Sequence, residues 1–212
     1  MCKYSQDGRL ILTLGNRDLA GATFYGEVFN MPTGVAVAPD GSIYVSDGYG
    51  NYKVQKFSPE GKWLKSWGKF GTGPGEFALV HGVEVDNDGR VYVADRENGR
   101  VQIFDGEGKY ISEWRDMRLP GSIHIVDDIA YVVEQGETAG APRIDVFSLD
   151  GKLLSRWSNE SEEEKETLWL PHGIDTDSHG DIYVAELDPN SFEEDAHSSK
   201  FYPRVGKFQL AK

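Results

Sequence analysis

Two histidines, His81 and His172, hold the same place in two copies of one pattern, each standing at the start of an alternating segment, VHGVEV and PHGIDT. Alternation of apolar and polar residues marks a half-buried β-strand. Both imidazoles therefore sit at strand ends, where a side chain can meet a ligand. Neutral imidazole is the commonest nitrogen ligand for a transition metal, and a catalytic zinc takes three protein ligands with one position left open. The spacing supplies two such ligands. The competing reading is a histidine that caps its strand start by hydrogen bonding. His124 lies three residues past the matching position of its own segment, His179 falls in a hairpin turn and His197 in an acidic stretch, so none completes the set.

Tyr49 and Arg96 form the second pair of candidates, in the loops SDGYGN and ADRENG. A phenol beside a cation or a metal can serve as base or ligand. Against this, Tyr49 could pack on a rim and Arg96 could pair with Glu97 or Asp95. The preceding acids, Asp47 and Asp95, read as structural, because a carboxylate at a strand end can accept backbone N–H groups from the turn that follows.

The elements that position these residues come from a repeat. Residues 80–104, VHGVEVDNDGRVYVADRENGRVQIF, read as strand, hairpin, strand, loop and strand, with DNDG as the first turn signal. The chain carries four versions of this unit, at about residues 32–68, 80–115, 120–158 and 171–212. Repeats of roughly 40 to 50 residues with four short strands are the signature of propeller blades. A turn of the DGK or EGK type precedes each outer strand, and three outer strands end in Trp67, Trp114 and Trp157. These tryptophans read as contacts within and between blades. Residues 1–15 look like the third and fourth strands of another blade, and the fourth repeat stops after its third strand. Two arrangements are open: a strand over residues 10–14 pairs with residues 205–210 to close a ring, or inner strands lie upstream. Residues 160–166 and 187–203 read as charged surface connections, the first a turn of helix or a solvated loop.

The expected fold is thus an all-β propeller filling one domain over 212 residues. In antiparallel blades the start of the first strand and the end of the second lie on one face. Thr33, His81, Gly121 and His172 are the four starting residues, so His81, His172, Tyr49 and Arg96 are expected to converge at one channel mouth, with a peptide or small molecule as ligand. A formal charge of -13 argues against nucleic acid as a partner. No apolar run is long enough to cross a membrane, and no leader pattern follows Met1, which makes a cytoplasmic location the default expectation. Cys2 is the only cysteine, so no intrachain disulfide is expected. An open arc of blades would expose strand edges and favour a homo-oligomer.

The repeats resemble NHL repeats, and SDGYGNYKVQKFSPEGK together with HGVEVDNDGRVYVADRENGRVQIF is similar to the peptidyl-α-hydroxyglycine α-amidating lyases. The resemblance runs from about residue 8 to the C-terminus, and ADRENGR is its most specific part. It implies a six-bladed propeller that splits a peptidyl hydroxyglycine into a peptide amide and glyoxylate. It also implies a metal, usually zinc, on three histidines, with His81 and His172 as two of them, Tyr49 as the base and Arg96 facing the substrate. The third histidine and a second arginine would lie upstream of residue 1. Gly173 stands where animal members carry an acid associated with calcium, and Gly50 replaces a disulfide cysteine, so neither calcium nor that disulfide is expected. The alternative expectation is a truncated or inactive member, or a non-catalytic NHL propeller binding a ligand at the same mouth.

Overall fold

Glycine in the DNDG and EGK turns lets the chain reverse at positive φ, and alternating valines and isoleucines bury one face of each strand. The result is a series of antiparallel meanders. The computed structural model describes residues 1–15, 29–136, 139–158, 168–187 and 204–208. Strands β1 (Cys2–Tyr4) and β2 (Leu10–Thr13) pair as a two-stranded sheet. The first full blade is β3 (Pro32–Val37), β4 (Ile43–Asp47), β5 (Lys53–Phe57) and β6 (Trp63–Trp67), hydrogen-bonded in chain order. The second is β7 (Val80–Val85), β8 (Val91–Asp95), β9 (Arg100–Phe104) and β10 (Tyr110–Trp114). The third is β11 (Pro120–Val126), β12 (Ile129–Glu134), β13 (Arg143–Ser148) and β14 (Leu153–Ser158). The fourth has β15 (Pro171–Thr176), β16 (Ile182–Glu186) and β17 (Arg204–Phe208) among the described residues.

This is the all-β propeller architecture expected from the repeats. The strand expected over residues 10–14 has β1 as its sheet partner, and the C-terminal strand has β16. The charged stretch 160–166 and all of 187–203 but Leu187 lie outside the described residues.

The chain divides into two compact units, Met1–Glu113 and Trp114–Lys212. Val54, Phe77, Val80, Val83, Val91, Val93 and Phe104 form the main core of the first, and Val133, Ile144, Leu168, Ile182 and Val184 that of the second. One contact recurs in both units. Trp67 packs on Phe104 with centroids 5.8 Å apart, Trp114 stacks on Phe147 at 4.9 Å, and Trp157 meets Phe208 at 6.4 Å. The hairpin glycines complete these seats. A Cβ on Gly108 would lie 2.6 Å from the Trp67 ring, and one on Gly151 would lie 2.7 Å from that of Trp114. Both glycines also have positive φ, so two independent demands converge on one residue type. The tryptophans are therefore contacts between successive sheets, as the sequence indicated.

Candidate active site

The starting residues Thr33, His81, Gly121 and His172 share a property that periodicity alone does not reveal. Each is the extra residue of a β-bulge, where the register slips between Pro32 and Gly34, Val80 and Gly82, Pro120 and Ser122, and Pro171 and Gly173. A bulge leaves one residue out of the ladder and re-aims its side chain. The four positions are thus built to point a side chain away from the regular pleat.

The acids that end the second strands secure this geometry. Asp47 accepts the Asn30 N–H at 2.8 Å, Asp95 the Ala78 N–H at 2.9 Å, Glu186 the Trp169 N–H at 2.7 Å, and Glu134 the Arg118 N–H. In every case the donor lies two residues before the first strand. The expected backbone donors in the following turn are thus replaced by donors in the preceding connection, because the bulge brings that connection over the strand end. The following turn contributes side chains instead: Asn51 Nδ2 donates to Asp47 at 2.7 Å and Asn98 Nδ2 to Asp95 at 2.8 Å. Gln55 and Arg100 complete the two networks with bonds of 2.8 Å each.

Within the first unit, three of the four expected site residues come together. The Tyr49 hydroxyl lies 3.3 Å from His81 Nε2 and 3.4 Å from Arg96 Nη1. The Tyr49 and His81 rings meet edge to face at 5.8 Å. His81 is buried, whereas Tyr49 is 48% exposed, so the phenol forms the solvent-facing lip above the imidazole. Arg96 opens a short 3₁₀ turn, Arg96–Asn98, that ends on Gly99 in the left-handed conformation. Its Nε also lies 3.7 Å from exposed Glu97, while Asp95 is taken by buried Arg100. Of the two ion pairs considered for Arg96, only that with Glu97 forms, and it coexists with the Tyr49 contact.

Gly48 and Thr33 hold this arrangement in place. A Cβ on Gly48 would fall 1.6 Å from the Val80 carbonyl oxygen, so only glycine lets the Tyr49 loop close onto the strand that carries His81. Thr33 Oγ1 donates to that same Val80 carbonyl at 2.9 Å. The signal for Thr33 was its alignment with His81; the signal for Gly48 was its place beside Asp47.

The second unit holds His172 at the bulge of β15, half-buried. In that unit His124 Nε2 meets Thr176 Oγ1 at 2.9 Å and lies 3.6 Å from Asp175, and burial pushes its imidazole down while Asp175 pulls it up. His179 sits in its hairpin, with its N–H bonded to Asp177. His197 lies outside the described residues. Among the described residues no group of three or more His, Cys, Asp or Glu could hold a metal ion. One imidazole and one phenol in the first unit fall short of the donors a catalytic zinc takes.

The pattern that defines the NHL repeat matches residues 29–57 and 77–104, which end with the third strands of the first and second blades. Human NHL repeat-containing protein 3 is 30% identical over 212 residues, covering 96% of this chain and 60% of that protein. Peptidyl-α-hydroxyglycine α-amidating lyase 1 of Drosophila melanogaster is 30% identical over 222 residues, covering 93% of this chain and 40% of the lyase. The chain thus spans about half the length of these relatives. Among solved structures, a protein of unknown function from Bacteroides caccae superposes with a TM-score of 0.66 at 14% identity, over 96% of this chain and 68% of that one, which shows the fold alone. Two stretches of this all-β propeller fold thus carry the NHL-repeat pattern, and a named amidating lyase and NHL repeat-containing protein 3 are among the relatives of the chain.

Proposed function

We propose that the chain is a lyase-type propeller acting on a peptide that ends in α-hydroxyglycine. The observation that carries this reading is the Tyr49 hydroxyl lying within 3.4 Å of both a buried imidazole nitrogen and a guanidinium. In the proposed step the Tyr49 phenolate takes the carbinol proton. The freed oxygen pair forms the C=O bond, and the C–N bond pair moves to the amide nitrogen. That nitrogen takes up the proton returned by Tyr49, giving a peptide amide and glyoxylate with no net oxidation. Arg96 holds the substrate carboxylate, for which a planar guanidinium is suited. A divalent transition metal, zinc by the family resemblance, is part of the same proposal, with His81 in the first unit and His172 in the second each proposed as a ligand residue. Calcium is not.

The test is glyoxylate release from a peptidyl α-hydroxyglycine by purified protein, paired with metal analysis. Release that depends on Tyr49 and Arg96 is expected; no glyoxylate and no bound metal would sink the reading. A second reading, a non-catalytic propeller binding a peptide or small ligand at this lip, draws on the exposure of Tyr49 and on the relative named only for its repeats. Saturable binding of the hydroxyglycine peptide without turnover would favour it.

A further inference from the structure

In the first and second blades the acid ending the second strand faces an amide on the third strand: Gln55 donates to Asp47 and Gln102 to Asp95. The third blade breaks this rule. Its acid is Glu134, and the residue in the glutamine's place is Asp145, paired in register with Val132 just as Gln55 is with Val45. Two carboxyl groups thus replace a carboxylate and an amide. Both are fully buried. One nitrogen, Arg143 Nε, lies 2.8 Å from Glu134 Oε2 and 3.7 Å from Asp145 Oδ1, which makes the two acids neighbours. Arg156 holds Asp145 in a two-pronged ion pair, at 2.7 Å and 2.6 Å. Glu134 Oε1 has no hydrogen-bond partner among the described residues. A buried carboxylate oxygen without a donor is costly, and a proton on it relieves the cost by turning an acceptor into a donor.

We propose that Glu134 and Asp145 hold one proton between them in the folded blade, carried on Glu134 Oε1, so that the stability of the second unit depends on pH. The site does not rest on the lyase reading and is separate from Tyr49, His81 and Arg96. Burial, then the Asp145 carboxyl beside it as a hydrogen-bonding neighbour and a like charge, pushes the Glu134 carboxyl up to about 7 from its ordinary 4.5. Opposing groups are the Arg118 N–H and the Arg143 guanidinium. From the neighbouring strands, Arg156 on β14 faces Asp145, and β15 carries His172 and Asp175, of which Asp175 is exposed and lies near His124. The sign follows from a folded value above the unfolded one: the contribution is fully present below about 4.5 and is lost as pH rises through about 7.

Carboxyl carbon NMR on the full chain, titrated from acid to mild base, reads the proton directly. A Glu134 midpoint near neutrality is expected, and one in the ordinary carboxylate range, about 4 to 5, would overturn the proposal. The Asp145→Asn variant should bring that midpoint down. In chemical unfolding, the wild-type folding constant should fall by up to about tenfold per pH unit across this window relative to Glu134→Gln. Equal slopes in the two proteins would also overturn the proposal. Where Glu134→Gln fails to fold, the wild-type titration decides alone.

Discussion

The second and third blades share one scaffold and differ in what it presents. Each has four strands, a bulge at the start of the first, and a buried acid at the end of the second that receives the N–H two residues before the blade. At the bulge the second blade carries His81 and the third Gly121; just after the acid they carry Arg96 and Gln135. In the second blade these positions gather around Tyr49. In the third, the Gln135 side chain fills the space beside Gly121 instead, 3.3 Å from where a Cβ would stand. Bulge and acid are thus structural constants of both blades, and the two side chains they aim are what varies.

Asp95→Ala removes the carboxylate partner of Arg100, whose side chain is 1% exposed. Breaking a buried pair from one side costs about 3–5 kcal/mol, so the denaturant midpoint should fall sharply. A loss under about 1 kcal/mol, the scale of an exposed pair, would show that the acid is not a structural constant. Gly48→Ala forces a methyl group into the Val80 carbonyl, and overpacking of this kind costs about 1–3 kcal/mol. It should reduce both thermal stability and any activity, because the loop that moves carries Tyr49. Thr33→Val keeps the side-chain shape but loses the bond to Val80, worth about 1 kcal/mol. Thr33→Ser should restore it, as read by the same unfolding curve.

Much of this was legible in the sequence. Alternating valines gave the strands, DG and EG pairs gave the hairpins, and the aligned histidines and the SDGY and ADREN loops marked the lip. What was not legible depends on distances across the chain. The bulges arise from how one strand registers on its neighbour, which a period-two pattern cannot express. The donors to Asp47 and Asp95 come from the connections before the blades, since a sequence pattern ranks near neighbours above groups 17 residues away. Nothing in the SDGY loop shows that Gly48 must admit the Val80 carbonyl, since that contact joins residues far apart in the chain. The burial of Glu134 and Asp145 and their shared arginine appear only in the folded sheet.

If Tyr49, His81 and Arg96 act as one chemical site, Tyr49→Phe disables it by removing a single oxygen from a half-exposed ring. Removal of a general base is expected to lower glyoxylate release by about 10²- to 10⁴-fold, while the unfolding midpoint stays near that of the wild type. Full retention of turnover in Tyr49→Phe, at unchanged stability, would contradict that single site.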